Sequence, residues 1–239
     1  MSADRASGDP YAAIADVYDV WCAEVVEDVA FYVTICDDAS LPVIELGAGT
    51  GRISVPLARV GHDVVAVDRS APMLDRLRLN AGDVADRITI VEADVEALPA
   101  LGPADRIVVP FRMLLHVPTD ERRLAVLRRC HEILVSGGLL AFDVFQPTRD
   151  DIRATHAREL RRGSGVVEVA HWDDADNRLD LDVRFRGRQT TMNLHYVPGH
   201  RWGELLEEAG FEIAGAYEGF DGRRFRGRRG DSAWVGRRP

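Results

Sequence analysis

Short apolar runs rich in β-branched residues alternate with amphipathic stretches between about residues 40 and 145. Nearly continuous apolar runs are typical of strands covered on both faces, and the 3.6-residue spacing between them is typical of helices. This alternation indicates a doubly wound, mostly parallel α/β sheet. The predicted strands are 43–46, 63–68, 88–92, 106–111 and 139–145, and the predicted helices are 52–60, 71–80 and 119–134.

The pattern changes after residue 145. Residues 178–186 alternate strictly between apolar and charged side chains, which is typical of an antiparallel strand with one solvated face. Two further runs, 166–172 and 190–197, flank it at hairpin distance, and together they indicate a small antiparallel insert after the fifth strand. A helix at 199–209 and strands at 211–217 and 232–237 then resume the parallel pattern. These two strands would complete a seven-stranded sheet.

Composition narrows the function. The chain has 239 residues and a net charge of −9, and all of its basic side chains are Arg. The absence of Lys excludes Schiff-base chemistry and Walker-type phosphate loops. Three widely spaced cysteines favour a reducing cytoplasm and predict neither a disulfide framework nor a metal site. Residues 1–10 are polar, and no apolar run reaches the ~18 residues of a membrane span, so neither a signal peptide nor a membrane partner is expected.

The segment 43–52 combines a strand, a glycine-rich turn and the start of a helix, with the acidic Glu45 before the turn. Its glycines are Gly47, Gly49 and Gly51. Glycines let the backbone approach a ligand closely, and a helix N-terminus offers unpaired N–H groups. The dinucleotide-binding fingerprint needs glycine where this chain has Arg52, which disfavours a nucleotide-dependent oxidoreductase.

An acidic residue followed by three alternating glycines resembles the first motif of class I S-adenosylmethionine-dependent methyltransferases. Later segments also resemble this family: Asp68 ends the second strand, Asp94 follows the third, and Pro110–Phe111–Arg112 follows the fourth. The segment 134–140 resembles the turn into the fifth strand, although Ser136 stands where the family usually has proline. The resemblance covers residues 40–145 and 200–239, and implies S-adenosylmethionine as cofactor and S-adenosylhomocysteine as product.

The resemblance also implies which residues hold the cofactor. Asp68 would accept hydrogen bonds from the ribose hydroxyls, and Asp94 from the adenine amino group. Met73 would pack on the adenine, with plain core packing as the alternative. The predicted cofactor-binding residues are Tyr18, Trp21, Glu45, Gly47, Ala48, Gly49, Gly51, Arg52, Asp68, Arg69, Met73, Asp94, Val95 and Phe111.

The insert and the aromatic N-terminal segment resemble small-molecule members of the family, such as the N-methyltransferases of glycine and of antibiotic amino sugars. In such enzymes the N-terminal aromatic residues, here Tyr11, Tyr18 and Trp21, close over the cofactor. The resemblance thus predicts a cofactor-binding core with N-terminal helices over 1–149, a lid over 150–198, and completion of the core sheet over 199–239. A second face on the insert could pair two subunits into a homodimer.

Nucleic acid is not the expected acceptor. The chain lacks the Asn/Asp-Pro-Pro-Tyr and Pro-Cys sequences of DNA methyltransferases, and its net charge disfavours a phosphate backbone. The exception is the segment 221–239, whose seven Arg and two Asp give a formal charge of 7 − 2 = +5. It is either a solvated hairpin or an anion-binding edge. An RNA methyltransferase and a non-catalytic cofactor-binding module therefore remain as alternatives to a small-metabolite enzyme.

The catalytic candidates are His116, Arg112, Tyr196 and His195. Methyl transfer to nitrogen or oxygen is an in-line displacement that needs mostly positioning and exclusion of water. His116 follows the fourth strand, where ligands gather in open α/β sheets, and is the best candidate for a general base. An unperturbed imidazole titrates near ~6.5, so activity is expected to rise through that pH if His116 is the base. A structural role is the alternative.

Overall fold

The computed structural model describes residues 8–239, which form two β-sheets with flanking helices. Expectations for residues 1–7, including part of the polar N-terminus, lie outside the described chain. The helices are α1 (Tyr18–Trp21), α2 (Glu27–Cys36), α3 (Ser54–Arg59), α4 (Ala71–Ala81), α5 (Asp120–Ile133), α6 (Arg149–Thr155) and α7 (Gly199–Glu208). The strands are β1 (Val43–Leu46), β2 (Val64–Asp68), β3 (Ile88–Glu92), β4 (Ala104–Val109), β5 (Leu134–Gln146), β6 (Glu159–Arg161), β7 (Val167–Asp173), β8 (Arg178–Phe185), β9 (Arg188–His195), β10 (Glu212–Tyr217) and β11 (Gly230–Arg237).

The larger sheet has seven strands among the described residues, in the order β10-β11-β5-β4-β1-β2-β3. Strands β1 to β5 pair in parallel, so the predicted doubly wound, mostly parallel sheet is confirmed. One detail of the prediction is wrong: β11 does not resume the parallel pattern, because it pairs antiparallel to both β5 and β10. It lies in the interior of the sheet between these two strands.

Most boundaries agree with the sequence pattern, and β5 differs most. It begins at Leu134, directly after α5, and not at residue 139. The Gly137–Gly138 pair was predicted to be a turn before the strand. Gly137 has a φ of +79°, and the pairing register with β4 shifts between Ala104 and Arg106, so the glycines form an irregularity within the strand. The helix α2 was missed, since its β-branched and aromatic residues weaken the helical signal.

The second sheet is antiparallel throughout, in the order β6-β7-β8-β9, and confirms the predicted insert after the fifth strand. It also contains two elements that the pattern did not indicate. The short strand β6 pairs with β7. Thr148 caps the N-terminus of α6: its hydroxyl accepts a hydrogen bond from the Asp151 amide, and the Asp151 carboxylate accepts one from the Thr148 amide. The division of the chain at residues 149 and 198 remains a prediction.

The two faces of the larger sheet bury different helices. Phe142 of β5 faces α7, where its ring centroid lies 5.4 Å from that of the fully buried Trp202. The neighbouring Ala141 faces the opposite side, in the cluster that contains α2, α3 and α4. This alternation explains why the strands read as continuous apolar runs. None of the described helices is long and apolar enough to span a membrane.

The N-terminal segment packs on the second sheet. Its buried Ile14 belongs to a cluster with Val183 and Met192 of β8 and β9. Both terminal nitrogens of Arg188 donate hydrogen bonds to the Asp16 carboxylate, at 2.8 and 2.9 Å. The Thr190 hydroxyl donates a hydrogen bond to the carbonyl of Pro10 at 2.8 Å. The segment and the sheet therefore form one layer, which we call the cover (residues 8–21 and 159–195).

Replacing Trp202 by Ala should destabilise the fold strongly. The ring is fully buried between Phe142 and Arg123, whose guanidinium lies 5.3 Å from the ring centroid. Truncation leaves a cavity, and Trp→Ala changes in cores cost about 3–5 kcal/mol. Denaturant unfolding measures this loss. As a control, Leu79→Ala removes a side chain that is 71% exposed and should change stability by less than about 0.5 kcal/mol; equal losses would contradict the packing described.

Candidate active site

The glycine-rich turn lies at the carboxyl end of β1 and brings bare backbone to the surface of a cleft. Gly47 and Gly49 have φ values of +76° and +55°, which side-chain-bearing residues rarely adopt. A Cβ on Gly47 would lie 2.5 Å from Cγ of Met113, so the turn fits only without a side chain at this position. The sequence has glycine here because both the conformation and the space demand it.

Asp68 ends β2 beside this turn. The amide of Gly49 donates to its Oδ2 and the amide of Ser70 to its Oδ1, both at 2.8 Å. Burial raises the pKa of Asp68, and these two amides oppose that rise. The hydroxyl of Ser70 is buried, has no hydrogen-bond partner and belongs to a residue that lines the cleft. A carboxylate and a free hydroxyl at this edge suit a ligand rich in hydroxyl groups.

Asp94 follows β3 on the far side of the cleft. Its carboxylate accepts a hydrogen bond from the Glu96 amide at 3.0 Å and lies 3.5 Å from Nη1 of Arg69. Both side chains of this ion pair are about half exposed, so the pair contributes little stability. Asp94 therefore keeps acceptor capacity for a donor such as an amino group.

The cleft has a free volume of about 300 Å³, at the lower end of the usual range of ~300–1,000 Å³ for ligand pockets. Backbone at the glycine turn, two carboxylates and apolar walls fit the sugar, base and thioether parts of S-adenosylmethionine. The structure brings nine of the predicted cofactor-binding residues to this cleft. They are Tyr18, Gly47, Gly49, Asp68, Arg69, Met73, Asp94, Val95 and Phe111.

Five predicted cofactor-binding residues do not line the cleft: Trp21, Glu45, Ala48, Gly51 and Arg52. Glu45 is buried beneath the turn, where it accepts a hydrogen bond from the Ser54 hydroxyl. Burial raises the pKa of Glu45 to about 8. This acid therefore supports the turn from below, and its position is explained by an internal partner.

Arg52 and Trp21 are also held by internal partners. Both terminal nitrogens of Arg52 donate to the buried carboxylate of Asp28 at 2.6 Å, and its guanidinium lies 4.7 Å from the ring centroid of Phe111. The indole N–H of Trp21 donates to Glu168 on the second sheet. The contact of Arg52 joins α2 to the glycine turn, and the contact of Trp21 joins the two parts of the cover, so both polar groups are occupied by partners outside the cleft.

His116 is the one predicted catalytic residue that lines the cleft among the described residues. Its Nε2 lies 2.8 Å from the hydroxyl oxygen of Tyr11, which comes from the N-terminal part of the cover. Burial, followed by the nearby Arg69 charge, lowers the pKa of His116 to about 4. The expected titration near 6.5 therefore does not apply, and the ring is neutral at physiological pH. Burial raises the pKa of Tyr11, so its hydroxyl stays protonated.

The other three predicted catalytic side chains lie outside the cleft. The Arg112 guanidinium binds Asp231 at 2.7 Å and covers the ring of Phe145. Tyr196 is almost fully buried, and its hydroxyl donates to Asp174 at 3.2 Å. His195 lies near the end of β9, and burial lowers its pKa. The side chains of Arg112 and Tyr196 are thus held by partners outside the cleft.

Sequence reasoning missed several residues of the cleft. Thr191 and Asn193 of β9 reach it from the cover, and Ser70 and Met113 line it from the core. Thr191 and Asn193 could have been found from the sequence. Alternate residues of a strand share a face, so both lie on the same face of β9 as the predicted His195. The strand approaches the cleft two and four residues before the predicted histidine.

Comparisons with known proteins agree with this geometry. A methyltransferase domain family matches residues 43–138. The cypemycin N-terminal methyltransferase of a Streptomyces species is 27% identical over 195 residues, which cover 78% of each chain. The solved structure of the CcbJ methyltransferase from Streptomyces caelestis superposes with a TM-score of 0.82 at 25% identity, covering 97% of this chain and 99% of that one. The sugar N-methyltransferase KedS8 from Streptoalloteichus shares the fold, with a TM-score of 0.72 at 14% identity over 100% and 98% of the two chains.

Residues 43–138 therefore form a methyltransferase domain, and the chain resembles S-adenosylmethionine-dependent methyltransferases over this domain and in its fold. Its cofactor is S-adenosylmethionine, in agreement with the resemblance seen in the sequence. The role of each individual residue in holding this cofactor remains a prediction, as do the catalytic roles.

Changing Asp68 to Asn should weaken cofactor binding by at least tenfold. The variant keeps the shape of the side chain but loses the charge that strengthens its hydrogen bonds to ribose hydroxyls, each worth roughly 1.5–3 kcal/mol. Calorimetric titration with S-adenosylhomocysteine measures the loss. Asp75→Asn, which changes an aspartate whose side chain is 72% exposed on α4, is the matched control and should bind normally. Unchanged affinity in the Asp68 variant would show that another group binds the ribose.

Changing Glu45 to Gln should remove a pH dependence of stability. The pKa of Glu45 is about 8 in the fold, whereas an unfolded glutamate titrates near ~4.3. Its stabilising contribution is thus complete below the unfolded pKa and is lost as the pH rises through about 8. The free energy of unfolding of the wild type should decline over this window relative to that of the Gln variant. Parallel curves from denaturant unfolding would show that Glu45 is ionised in the fold; Glu92→Gln, at an exposed strand end, is the control.

Proposed function

We propose that this enzyme transfers a methyl group from S-adenosylmethionine to a nitrogen atom of a small metabolite, with an oxygen atom as the second candidate. The observation that carries the proposal is the hydrogen bond between Tyr11 and His116 in the cofactor cleft. The two side chains come from opposite walls, the cover and the carboxyl end of β4. They supply two polar groups that can hold a methyl acceptor beside the cofactor.

The protonation state of this pair favours nitrogen. When bound, S-adenosylmethionine supplies an electrophilic methyl group whose leaving group is a neutral thioether. His116, with a pKa of about 4, is a weak base that accepts a hydrogen bond but draws a proton poorly from a hydroxyl group. An amine that arrives neutral already has a free lone pair and needs only orientation. Tyr11 and His116 would provide that orientation by accepting hydrogen bonds from the substrate amine or donating hydrogen bonds to it.

The contacts between the two parts of the cover support a role of the insert as a lid over the cleft. Thr191 and Asn193 on β9 and Tyr11 in the N-terminal segment all line the cleft. The ion pair of Asp16 with Arg188 fastens these two parts to each other. A layer that excludes water would keep the sulfonium from hydrolysis and leave the acceptor amine unsolvated. We therefore assign residues 150–198 to the lid and the acceptor contacts to its β9 strand.

One of the similar proteins has a name that specifies nitrogen, and another has a name that specifies an N-terminus. The cypemycin enzyme is named as an N-terminal methyltransferase and KedS8 as a sugar N-methyltransferase. A peptide amino group and an amino sugar are both amines that can enter a small cleft through one exposed group. These names support an amine as the methyl acceptor of this chain. An assay of several amines would identify which one it uses.

A paired acceptor panel tests this proposal. Each amine, such as an amino sugar, an amino acid ester or a short peptide, is assayed beside its hydroxyl analogue, with isotope-labelled S-adenosylmethionine and mass spectrometry. We expect transfer to amines and little to their hydroxyl analogues. Activity should follow the ionisation of the acceptor amine, with no step near pH ~6.5 from His116. Preferred transfer to hydroxyls, or to RNA in a steeply salt-dependent manner, would contradict the proposal.

Variants of the pair separate orientation from general base catalysis. His116→Asn keeps a hydrogen-bond acceptor for Tyr11 and should retain most of the activity, whereas His116→Ala and Tyr11→Phe should each lose roughly tenfold or more. General base catalysis would instead cost ~10²–10⁴-fold in both His116 variants. Binding of S-adenosylhomocysteine is the control measurement, and it should stay close to wild type in the Asn variant.

A further inference from the structure

The loop after β4 has an unusual backbone. Phe111 and Arg112, neither of them glycine, both adopt left-handed conformations with φ values of +56° and +62°. Such conformations cost free energy in residues with side chains and persist only where the surroundings enforce them. Two in succession therefore require a specific cause.

That cause is the carboxylate of Asp143 on β5. Its Oδ1 accepts a hydrogen bond from the Phe111 amide at 2.7 Å, and its Oδ2 accepts one from the Arg112 amide at 3.1 Å. The hydroxyl of Tyr32, from α2, also donates to Oδ1 at 2.6 Å. Asp143 and Tyr32 are both almost fully buried, so these charge-assisted bonds are shielded from water. One buried side chain thus fixes two successive backbone amides.

The conformation of this loop decides where Phe111 lies. Its ring lines the cofactor cleft on one side and a neighbouring recess of about 380 Å³ on the other. Tyr18 contacts it at an edge-to-face centroid distance of 6.5 Å, and Arg52 covers it at 4.7 Å. Phe111 is therefore the partition between the two spaces, and a change of the loop to right-handed φ values would displace it.

We propose that Asp143 is a positioning residue for the cofactor cleft: it enforces the left-handed Phe111–Arg112 pair and so holds Phe111 as the wall of the cleft. The role is independent of which acceptor the enzyme uses, because it is exerted on the cofactor side. It can be tested by binding of S-adenosylhomocysteine alone, without methyl transfer.

The first test is a matched pair at position 112, where the side chain is 40% exposed and lies outside the cleft. Arg112→Gly and Arg112→Pro both remove the guanidinium, but glycine tolerates a positive φ, whereas proline is fixed near −65° and has no N–H. Calorimetric titration with S-adenosylhomocysteine should give a Gly variant within threefold of wild type and a Pro variant at least tenfold weaker. Equal affinities in the two variants would overturn the proposal.

The second test changes the carboxylate itself. Asp143→Asn should weaken binding of S-adenosylhomocysteine at least tenfold and shift the Phe111 amide signal in spectra of protein labelled with ¹⁵N-phenylalanine. Adding Arg112→Gly should recover at least threefold, because glycine lowers the cost of the left-handed turn. An unshifted Phe111 amide, or no recovery in the double variant, would overturn the proposal.

The control for general destabilisation is Asp105→Asn. Asp105 is the second residue of β4, at the opposite end of the strand from the cleft, and its carboxylate accepts hydrogen bonds from the amide and hydroxyl of Ser40 and from the amide of Leu41. It therefore loses a comparable set of bonds far from the cleft. We expect a similar drop in thermal stability with affinity within twofold of wild type. If Asp105→Asn weakens binding as much as Asp143→Asn, the effect is one of stability and the proposal fails.

Discussion

The site depends on the two backbone amides that donate to Asp68. One belongs to Gly49 in the turn after β1 and the other to Ser70 at the start of α4. The same carboxylate therefore fixes the glycine turn, the first residues of the helix and its own orientation. Because parallel strands deliver their carboxyl ends to one edge of the sheet, this arrangement needs no long loop.

A second layer of buried acids surrounds this edge and takes no direct part in the cleft. Glu45 supports the turn through Ser54, and Asp28 holds Arg52. In both cases an acid near the ligand site is occupied by an internal donor. A buried polar group is costly without a hydrogen-bond partner, and a buried charge is more costly still, so these partners are needed for the fold itself. The rigidity of the cleft is thus achieved by residues that the cofactor would not touch.

The sequence was sufficient for most strands of the larger sheet, for the glycine turn and for the position of Asp68 at the end of β2, because periodicity and local spacing determine them. It was insufficient wherever the decisive partner is distant in the chain. Arg52 was assigned to the cofactor because Asp28, on the unpredicted helix α2, was not visible as its partner. Tyr11 and His116 were each named, but their contact joins residues 105 positions apart. The left-handed Phe111 carries no local signal, since its cause is Asp143 on a neighbouring strand.

The attachment of the cover has a consequence for biosynthesis. Asp16 and Arg188 are 172 positions apart, and Pro10 and Thr190 are 180 apart. The residues of the core that line the cleft lie mainly between positions 47 and 122. Translation proceeds from the N-terminus, so the core residues emerge from the ribosome well before β9 can receive the N-terminal segment. The cover can therefore assemble only after β9 has emerged, when the core residues that line the cleft are already synthesised.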